Sequence, residues 1–303
     1  MLTHPLAGVY AAAVTPLTAD YGVDYPAFVP LLDFLARRGA HGALLFGTTG
    51  EGPSFDPAER IEACKAALEI RQTHPDFKLL LGTGTPSLDE TAALTRAAFD
   101  LGLDGTVTLP PYYYRSVSDE GLYQWFAAVI GRAVPAGGAF FAYHIPSVSG
   151  VAVAPDLLAR LKDSFPRQFA GLKDSSGDAA YGRQLGARFG GDLLIFCGTD
   201  PLFGEALQAG ASGAITAPAN LFSPELRRVW EARLKGSTDP EAQGRIETLR
   251  AILDRYPPAA AALKALLHRI HNFPRFPVRP PLLPISRETE DKAYAELQAA
   301  GLI

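Results

Sequence analysis

Short apolar runs alternate with longer amphipathic stretches along most of this 303-residue chain. The apolar runs are rich in Val, Leu, Ile and Phe and recur about every 25 to 35 residues, a pattern typical of repeated βα units. The candidate strands are residues 9–14, 42–46, 79–82, 105–109, 139–144, 170–173, 193–197 and 213–217. Eight strands of this kind favour a closed parallel barrel, since a (β/α)8 barrel needs about 250 residues.

An open, doubly wound sheet is the alternative fold. That fold carries a Gly-x-Gly-x-x-Gly turn after its first strand, because the turn brings the backbone close to a bound pyrophosphate. The sequence that follows residues 9–14 has no such turn. We therefore predict an α/β protein with a (β/α)8 TIM barrel over residues 1–223.

The strand pattern stops near residue 220, and helical periodicity replaces it. Predicted helices cover residues 224–235, 240–254, 258–271 and 287–300. Five prolines between residues 273 and 284 exclude a helix there and favour an extended segment. Residues 224–303 are therefore predicted to form a C-terminal helical region.

Charge and composition narrow the classes of partner. The net charge is only -4 and the basic residues are scattered, so no surface for nucleic acid or an anionic membrane is indicated. Two cysteines are too few for a disulfide framework, and neither has metal-ligand spacing. Neither a secretion signal nor a membrane-spanning stretch is evident. We expect a soluble, cytoplasmic protein with small-molecule partners.

Lys173 is one of seven lysines and follows Phe-Ala-Gly-Leu at the predicted end of the sixth strand. A lysine at a strand end usually extends its ammonium into solvent. An ammonium that is buried loses hydration, which favours the neutral amine that forms a Schiff base with a carbonyl. Because side chains alternate along a strand, an inward Lys173 also places Gly171 inward and turns Asp174 away from the amine.

Polar groups follow other predicted strands as well. Tyr143 ends the fifth strand, where a phenol can exchange protons with a carbinolamine, although a purely structural core tyrosine is the alternative. Gly-Thr-Thr-Gly-Glu at residues 47–51 follows the second strand, and its backbone N–H groups can face a carboxylate or merely form a tight turn. Three consecutive tyrosines at residues 112–114 cannot all face one core, so one reaches the site mouth or a neighbouring subunit unless they stack on the surface.

Together with Tyr-His-Ile-Pro at residues 143–146 and Gly-Ala-Ile-Thr at residues 213–216, these motifs resemble the dihydrodipicolinate synthase and N-acetylneuraminate lyase family. The family consists of class I, Schiff-base-forming pyruvate aldolases. The resemblance runs from about residue 6 to residue 284 and implies a barrel with C-terminal helices, assembled as a homotetramer that is a dimer of dimers. It implies pyruvate, or another 2-keto acid, and an aldehyde as partners, with no cofactor and no metal.

The resemblance also implies catalytic roles for individual residues. Lys173 would form the imine, Tyr143 would transfer protons, and Thr48 would hydrogen-bond Tyr143 in a relay. Tyr113 from a neighbouring subunit would complete this relay. The segment at residues 111–121 is one residue longer than the synthase pattern, so Tyr112 or Tyr114 is an alternative to Tyr113.

The substrate-binding residues implied by the resemblance lie after the second and seventh predicted strands and within the eighth. They are Gly47, Thr48, Thr49, Gly198, Asp200 and Ile215. Gly47, Thr48 and Thr49 would hold the substrate carboxylate, while Ile215 would line the pocket.

Two departures from the family pattern concern the substrate. Val148 stands where synthases have an arginine that binds the carboxylate of the aldehyde, and Pro201 stands where sialic acid lyases have a glutamate. We therefore favour a 2-keto-3-deoxy sugar acid aldolase or a related dehydratase. One alternative is a 4-hydroxy-tetrahydrodipicolinate synthase, which condenses pyruvate with aspartate semialdehyde. A non-catalytic barrel that binds keto acids is an alternative of another class.

Overall fold

The computed structural model describes residues 3–303 and has eight strands in a closed parallel barrel, each adjacent to the next in chain order. The strands are β1 Gly8–Ala12, β2 Gly42–Leu45, β3 Lys78–Gly82, β4 Gly105–Thr108, β5 Phe140–His144, β6 Phe169–Asp174, β7 Leu194–Cys197 and β8 Gly213–Thr216. All eight predicted strands are present, with ends displaced by two residues at most. The predicted (β/α)8 class is confirmed.

Helices follow the strands and continue beyond β8. They are α1 Phe28–Arg37, α2 Pro57–Leu68, α3 Leu88–Asp100, α4 Asp119–Ala133, α5 Pro146–Ser149, α6 Pro155–Ser164, α7 Ala179–Phe189, α8 Phe203–Gln208, α9 Ala219–Leu234, α10 Pro240–Leu253, α11 Ala259–His271 and α12 Arg287–Ala299. Helix α2 begins where its capping predicts: the Asp56 side chain accepts from Glu59 N, the Glu59 side chain accepts from Asp56 N, and Pro57 occupies the first turn.

Alternation along β5, β6 and β7 separates the barrel interior from the surrounding helices. Phe140, Ala142, Leu172 and Ile195 face outward and belong to one buried cluster with residues of the neighbouring helices. The larger side chains among them, Phe140, Leu172 and Ile195, each contribute about 1.5–3 kcal/mol of hydrophobic stabilisation. The residues between them along the strands therefore face the barrel interior.

The inward position of Lys173 depends on an irregularity at the start of β6. Phe140 pairs with Phe169, whereas Phe141 pairs with Gly171, so the pairing shifts by one residue between them. Gly171 has a φ of 153°, and a Cβ there would lie 1.9 Å from the Leu194 carbonyl oxygen, a position that only glycine tolerates. Beyond this bulge the register is regular and brings Lys173 opposite Tyr143.

Contacts within the chain define two compact units, one comprising the residues up to Gly8 with Lys78–Ala214 and the other Val9–Phe77 with Ile215–Ile303. The predicted domain boundary at residue 223 remains a prediction. Residues 272–286, which contain the proline-rich segment, form no helix and no strand, as expected. None of the helices within residues 3–303 has the length and apolarity that crossing a membrane requires.

Candidate active site

Lys173 and Tyr143 lie side by side at the carboxyl ends of β6 and β5. Both side chains are buried, with exposed fractions of 3% and 4%, and the Lys173 Nζ lies 4.2 Å from the centroid of the Tyr143 ring. Within residues 3–303, no carboxylate oxygen lies within ion-pair distance of this amine. The amine is thus largely removed from water and has no carboxylate partner among these residues.

Apolar rings and a glycine surround the base of Lys173. Phe196 of β7 is its register partner on the other side, and the Phe196 ring lies 5.4 Å from the Phe141 ring in an edge-to-face arrangement. Gly171 precedes Lys173 by two residues on the same face of β6, where the backbone of Leu194 leaves no room for a side chain. The rings limit access of water to the lysine stem.

The adjacent carboxylate, Asp174, is held on the outer face of the barrel. Its Oδ1 lies 3.2 Å from the Nδ1 of His144, and it accepts a hydrogen bond of 3.0 Å from Ser176 N. The His144 ring packs against Tyr181 at 4.5 Å, and the Tyr181 hydroxyl donates to the Val153 carbonyl. Burial raises the pKa of Tyr181. The predicted orientation of Asp174, away from the amine, is confirmed.

The loop that follows β2, residues 46–52, is closed by backbone hydrogen bonds. Glu51 N donates to the Thr48 carbonyl at 3.1 Å, and Gly52 N donates to the Gly47 carbonyl at 3.0 Å. A Cβ at Gly52 would lie 2.1 Å from the Phe46 carbonyl oxygen, so the close return of the chain requires glycine. The glycines in this motif therefore have a structural reason as well as the predicted role in anion binding.

The predicted carboxylate-binding residues of this loop differ in exposure. Thr48 is exposed and Thr49 is partly buried, whereas Gly47 is buried. Ile215, predicted to line the pocket, is fully buried in β8. The relay contact between Thr48 and Tyr143 and the substrate contacts of these residues remain predictions.

Gly198 and Asp200 follow β7, as predicted. Gly198 N donates to the Asp174 carbonyl at 2.7 Å, and a Cβ at Gly198 would lie 1.9 Å from the Ser175 Oγ. Asp200 is fully buried at the start of a single 3-10 turn, Asp200–Leu202. Burial raises the pKa of the neighbouring Cys197 to about 12, so this thiol is not a candidate nucleophile.

The tyrosines after β4 are largely in solvent. Tyr113 and Tyr114 are 76% and 73% exposed, and their rings pack edge to face at 5.2 Å, while Tyr112 is partly buried. Val148, in the short helix α5, is 55% exposed. The role predicted for Tyr113 at a neighbouring subunit, and the alternatives Tyr112 and Tyr114, remain predictions.

A second lysine, Lys264 of α11, is also buried and was not predicted from the sequence. It is 1% exposed, and its Nζ donates to Glu51 Oε1 at 2.6 Å and to the Pro277 carbonyl at 2.6 Å. Burial lowers the pKa of Lys264, and the Glu51 carboxylate opposes this effect. A signal was present in the sequence, because Lys264 interrupts an otherwise apolar run of Ala and Leu at residues 259–267.

Comparisons with known proteins agree with this geometry. The family model for the dihydrodipicolinate synthetase family matches residues 5–300. A DapA-like lyase from Chloroflexus aurantiacus, itself uncharacterised, is 41% identical over 285 residues, which is 93% of this chain and 92% of the relative.

Solved structures give the same result. The dihydrodipicolinate synthase of Agrobacterium tumefaciens is 31% identical, with a TM-score of 0.86 over 96% of this chain and 98% of that one. The N-acetylneuraminate lyase of Proteus mirabilis is 25% identical, with a TM-score of 0.88 over 98% and 99% of the two chains. These findings set aside the non-catalytic barrel. The chain therefore belongs to the dihydrodipicolinate synthetase family and is a lyase of the class I aldolase type.

Proposed function

We propose that this protein is a Schiff-base aldolase that cleaves or forms a carbon–carbon bond between a pyruvate unit and an aldehyde. The observation that carries the proposal is the buried Lys173 amine, which faces the Tyr143 ring and has no ion-pair partner within residues 3–303. A lysine that served only the stability of the fold would be expected to carry a carboxylate partner.

The reaction begins when the Lys173 amine attacks the carbonyl carbon of the 2-keto acid. The resulting carbinolamine loses water to give an iminium ion, which draws electrons from the bond beta to its carbon. In the cleavage direction this bond breaks, the aldehyde departs, and an enamine of pyruvate remains on Lys173. Protonation of the enamine and hydrolysis of the imine release pyruvate and restore the amine.

Tyr143 is the proposed proton carrier for these steps. A phenol beside the reacting amine can protonate the carbinolamine hydroxyl as it leaves as water and can accept a proton from the substrate hydroxyl as the bond breaks. The centroid of its ring lies 4.2 Å from Lys173 Nζ, and this proximity supports the proposed role. Thr48 and Tyr113 of a neighbouring subunit are proposed to complete the relay, within a homotetramer.

The carboxylate of the keto acid is proposed to bind the loop at residues 47–49. Backbone N–H groups of a tight, glycine-containing loop provide donors for an anion, and the hydroxyls of Thr48 and Thr49 add two more. Gly198, Asp200 and Ile215 are the further proposed contacts with the substrate.

A 2-keto-3-deoxy sugar acid is the proposed substrate class. Val148 provides no charge to bind a second carboxylate, so an aldehyde that carries hydroxyls fits this position better than one that carries an acid group. A related dehydratase would use the same imine. The second candidate is 4-hydroxy-tetrahydrodipicolinate synthase, favoured by the synthase from Agrobacterium tumefaciens among the similar structures.

Two assays test the proposal. Borohydride reduction in the presence of pyruvate should add one reduced pyruvate unit per chain, as measured by intact mass, and the Lys173→Arg variant should gain none. Cleavage of 2-keto-3-deoxygluconate should then exceed cleavage of N-acetylneuraminate and condensation of pyruvate with aspartate semialdehyde. An unmodified wild-type chain would refute the Schiff base, and fast condensation with aspartate semialdehyde would overturn the proposed substrate class.

A further inference from the structure

The loop at residues 46–52 contains a buried carboxylate that the proposed reaction does not use. Glu51 ends the Gly-Thr-Thr-Gly-Glu motif, its side chain is 0% exposed, and its φ of 58° lies in the left-handed region. Phe46, at the other end of the loop, has a φ of 53°. Non-glycine residues adopt such angles only where surrounding contacts impose them, so the loop depends on external support.

Both oxygens of Glu51 receive donors from the C-terminal part of the chain. Oε1 accepts from Lys264 Nζ at 2.6 Å, and Oε2 accepts from the backbone N of Arg279 at 2.7 Å. Lys264 also donates to the Pro277 carbonyl at 2.6 Å. The lysine therefore connects the loop, helix α11 and the proline-rich segment through one buried ammonium.

Arg279 fixes the same segment against the residues that follow the loop. Its guanidinium makes two hydrogen bonds to Glu59 of α2, at 2.8 and 2.9 Å, and a third to the Ser54 carbonyl at 2.8 Å. The guanidinium also lies 4.2 Å from the centroid of the Phe55 ring. Such forked contacts hold a defined geometry, because the guanidinium is planar.

Lys264 has an electrostatic consequence in addition to a geometric one. The loop is proposed to bind the carboxylate of a keto acid, yet it carries a carboxylate of its own three residues after Thr48. An unpaired Glu51 would repel the substrate anion in this weakly polar interior. Lys264 pairs with that charge, so the loop can present its N–H groups to an anion.

We propose that Glu51 and Lys264 are positioning residues that set the shape and charge of the carboxylate-binding loop, with Arg279 holding the segment that completes their contacts. This inference rests on the proposed function, since it assigns the loop a keto-acid carboxylate as ligand. Neither Glu51 nor Lys264 touches the reacting atoms in this account. They act through the loop amides and the threonines at residues 48 and 49.

The test compares trapping of pyruvate with trapping of methyl pyruvate, which has the same ketone but no carboxylate charge. Wild type should form the borohydride-reduced adduct at much lower concentrations of pyruvate than of methyl pyruvate. In Lys264→Met the half-saturating pyruvate concentration should rise about 10- to 100-fold, the size of loss typical of outer-shell residues at metal sites, because the unpaired Glu51 carboxylate would repel the ligand. The half-saturating concentration of methyl pyruvate should change little, so the preference for pyruvate over methyl pyruvate should be largely lost.

Two further variants keep the test decisive. Glu51→Gln retains the shape of the side chain and should weaken pyruvate binding less than Lys264→Met, and it serves if Lys264→Met does not fold. The matched control is Glu225→Gln. In the wild-type protein Glu225 of α9 forms an ion pair with Arg245 of α10, and its loss should leave both half-saturating concentrations unchanged.

The two hypotheses fail in different ways. Absence of an adduct in wild type would refute the proposed function and this inference together. A wild-type adduct combined with unchanged preference for pyruvate in Glu51→Gln and Lys264→Met would refute the inference alone. An equal shift in Glu225→Gln would have the same meaning, since it would show that any lost ion pair weakens the site.

Discussion

Lys173 and Lys264 are both buried, yet their surroundings are opposite. Lys264 is 1% exposed and donates to a carboxylate and a carbonyl, each at 2.6 Å. Lys173 is 3% exposed and faces the ring of Tyr143, with no ion-pair partner within residues 3–303. Burial alone therefore does not distinguish the two lysines. The neighbouring group does, and on this difference we base the proposal that Lys173 forms the imine while Lys264 serves the structure.

The difference has a simple physical origin. A buried ammonium is costly unless a partner compensates for its lost hydration, and Glu51 provides that compensation for Lys264. Lys173 has only the weaker attraction of an aromatic face, and we propose that its nitrogen is the one that attacks a carbonyl carbon. The following predictions test this contrast, beginning with the largest expected effect.

Lys173→Arg should reduce aldol cleavage by about 10^4-fold or more, because the covalent nucleophile is lost while a positive charge of similar length remains. Lys264 should not substitute for it, since its nitrogen is already bound by Glu51 and the Pro277 carbonyl. Steady-state kinetics on the best substrate would measure the loss. Activity within tenfold of wild type would remove Lys173 from the mechanism.

Lys264→Met should lower the free energy of unfolding by about 3–5 kcal/mol, because it leaves the Glu51 carboxylate buried and unpaired. Lys173→Met leaves no such charge and should change stability far less. The double variant Glu51→Leu/Lys264→Met should recover most of the loss, since it removes both charges. Urea unfolding measures all three, and equal destabilisation by the two single lysine variants would break the contrast.

Tyr143→Phe should lower the rate of cleavage by about 100-fold, the lower part of the range for loss of a proton-transfer group. The ring that faces Lys173 is retained, so the pyruvate adduct should still form after longer incubation. Rapid-quench trapping compared with turnover separates the two effects. An unaltered turnover rate would show that the phenol hydroxyl transfers no proton.

The pH dependence of stability should show the smallest effect. Because the pKa of Lys264 is lowered by burial from 10.5, the unfolded chain binds more protons than the folded chain between the lowered pKa and 10.5. The contribution of Lys264 to the free energy of unfolding should therefore increase as pH rises through this window and decrease as pH falls through the lowered pKa. Unfolding measured against Glu51→Leu/Lys264→Met isolates this contribution, which should be absent from the double variant.

The sequence permitted prediction of the barrel because strand positions depend on local periodicity, whereas the role predicted for Lys173 came from the resemblance to a known family. Apolar runs located all eight strands, and alternation along β6 assigned Lys173 and Asp174 to opposite faces of the strand. The need for glycine at residue 171 and the register shift beside it were not predicted, because they depend on how β6 pairs with β5 and β7.

Lys264 and Glu51 show why some contacts could not be predicted from the sequence. Lys264 and Glu51 are 213 residues apart in the chain, and no local pattern pairs them. The left-handed conformation of Glu51 could not be predicted from the sequence either, since glutamate has no preference for that conformation. Pairings of this kind depend on the tertiary fold, whereas strand positions and side-chain parity do not.

Peptide mapping of the borohydride-trapped pyruvate adduct tests the central claim most directly. Wild-type protein is incubated with pyruvate, reduced and digested, and the modified lysine is identified by fragmentation of the peptides. The account predicts a single modified site at Lys173, with the peptide that contains Lys264 unmodified at saturating pyruvate. Modification of Lys264, or a Lys173 peptide that stays unmodified, would contradict the assignment of chemistry to Lys173 and of structure to Lys264.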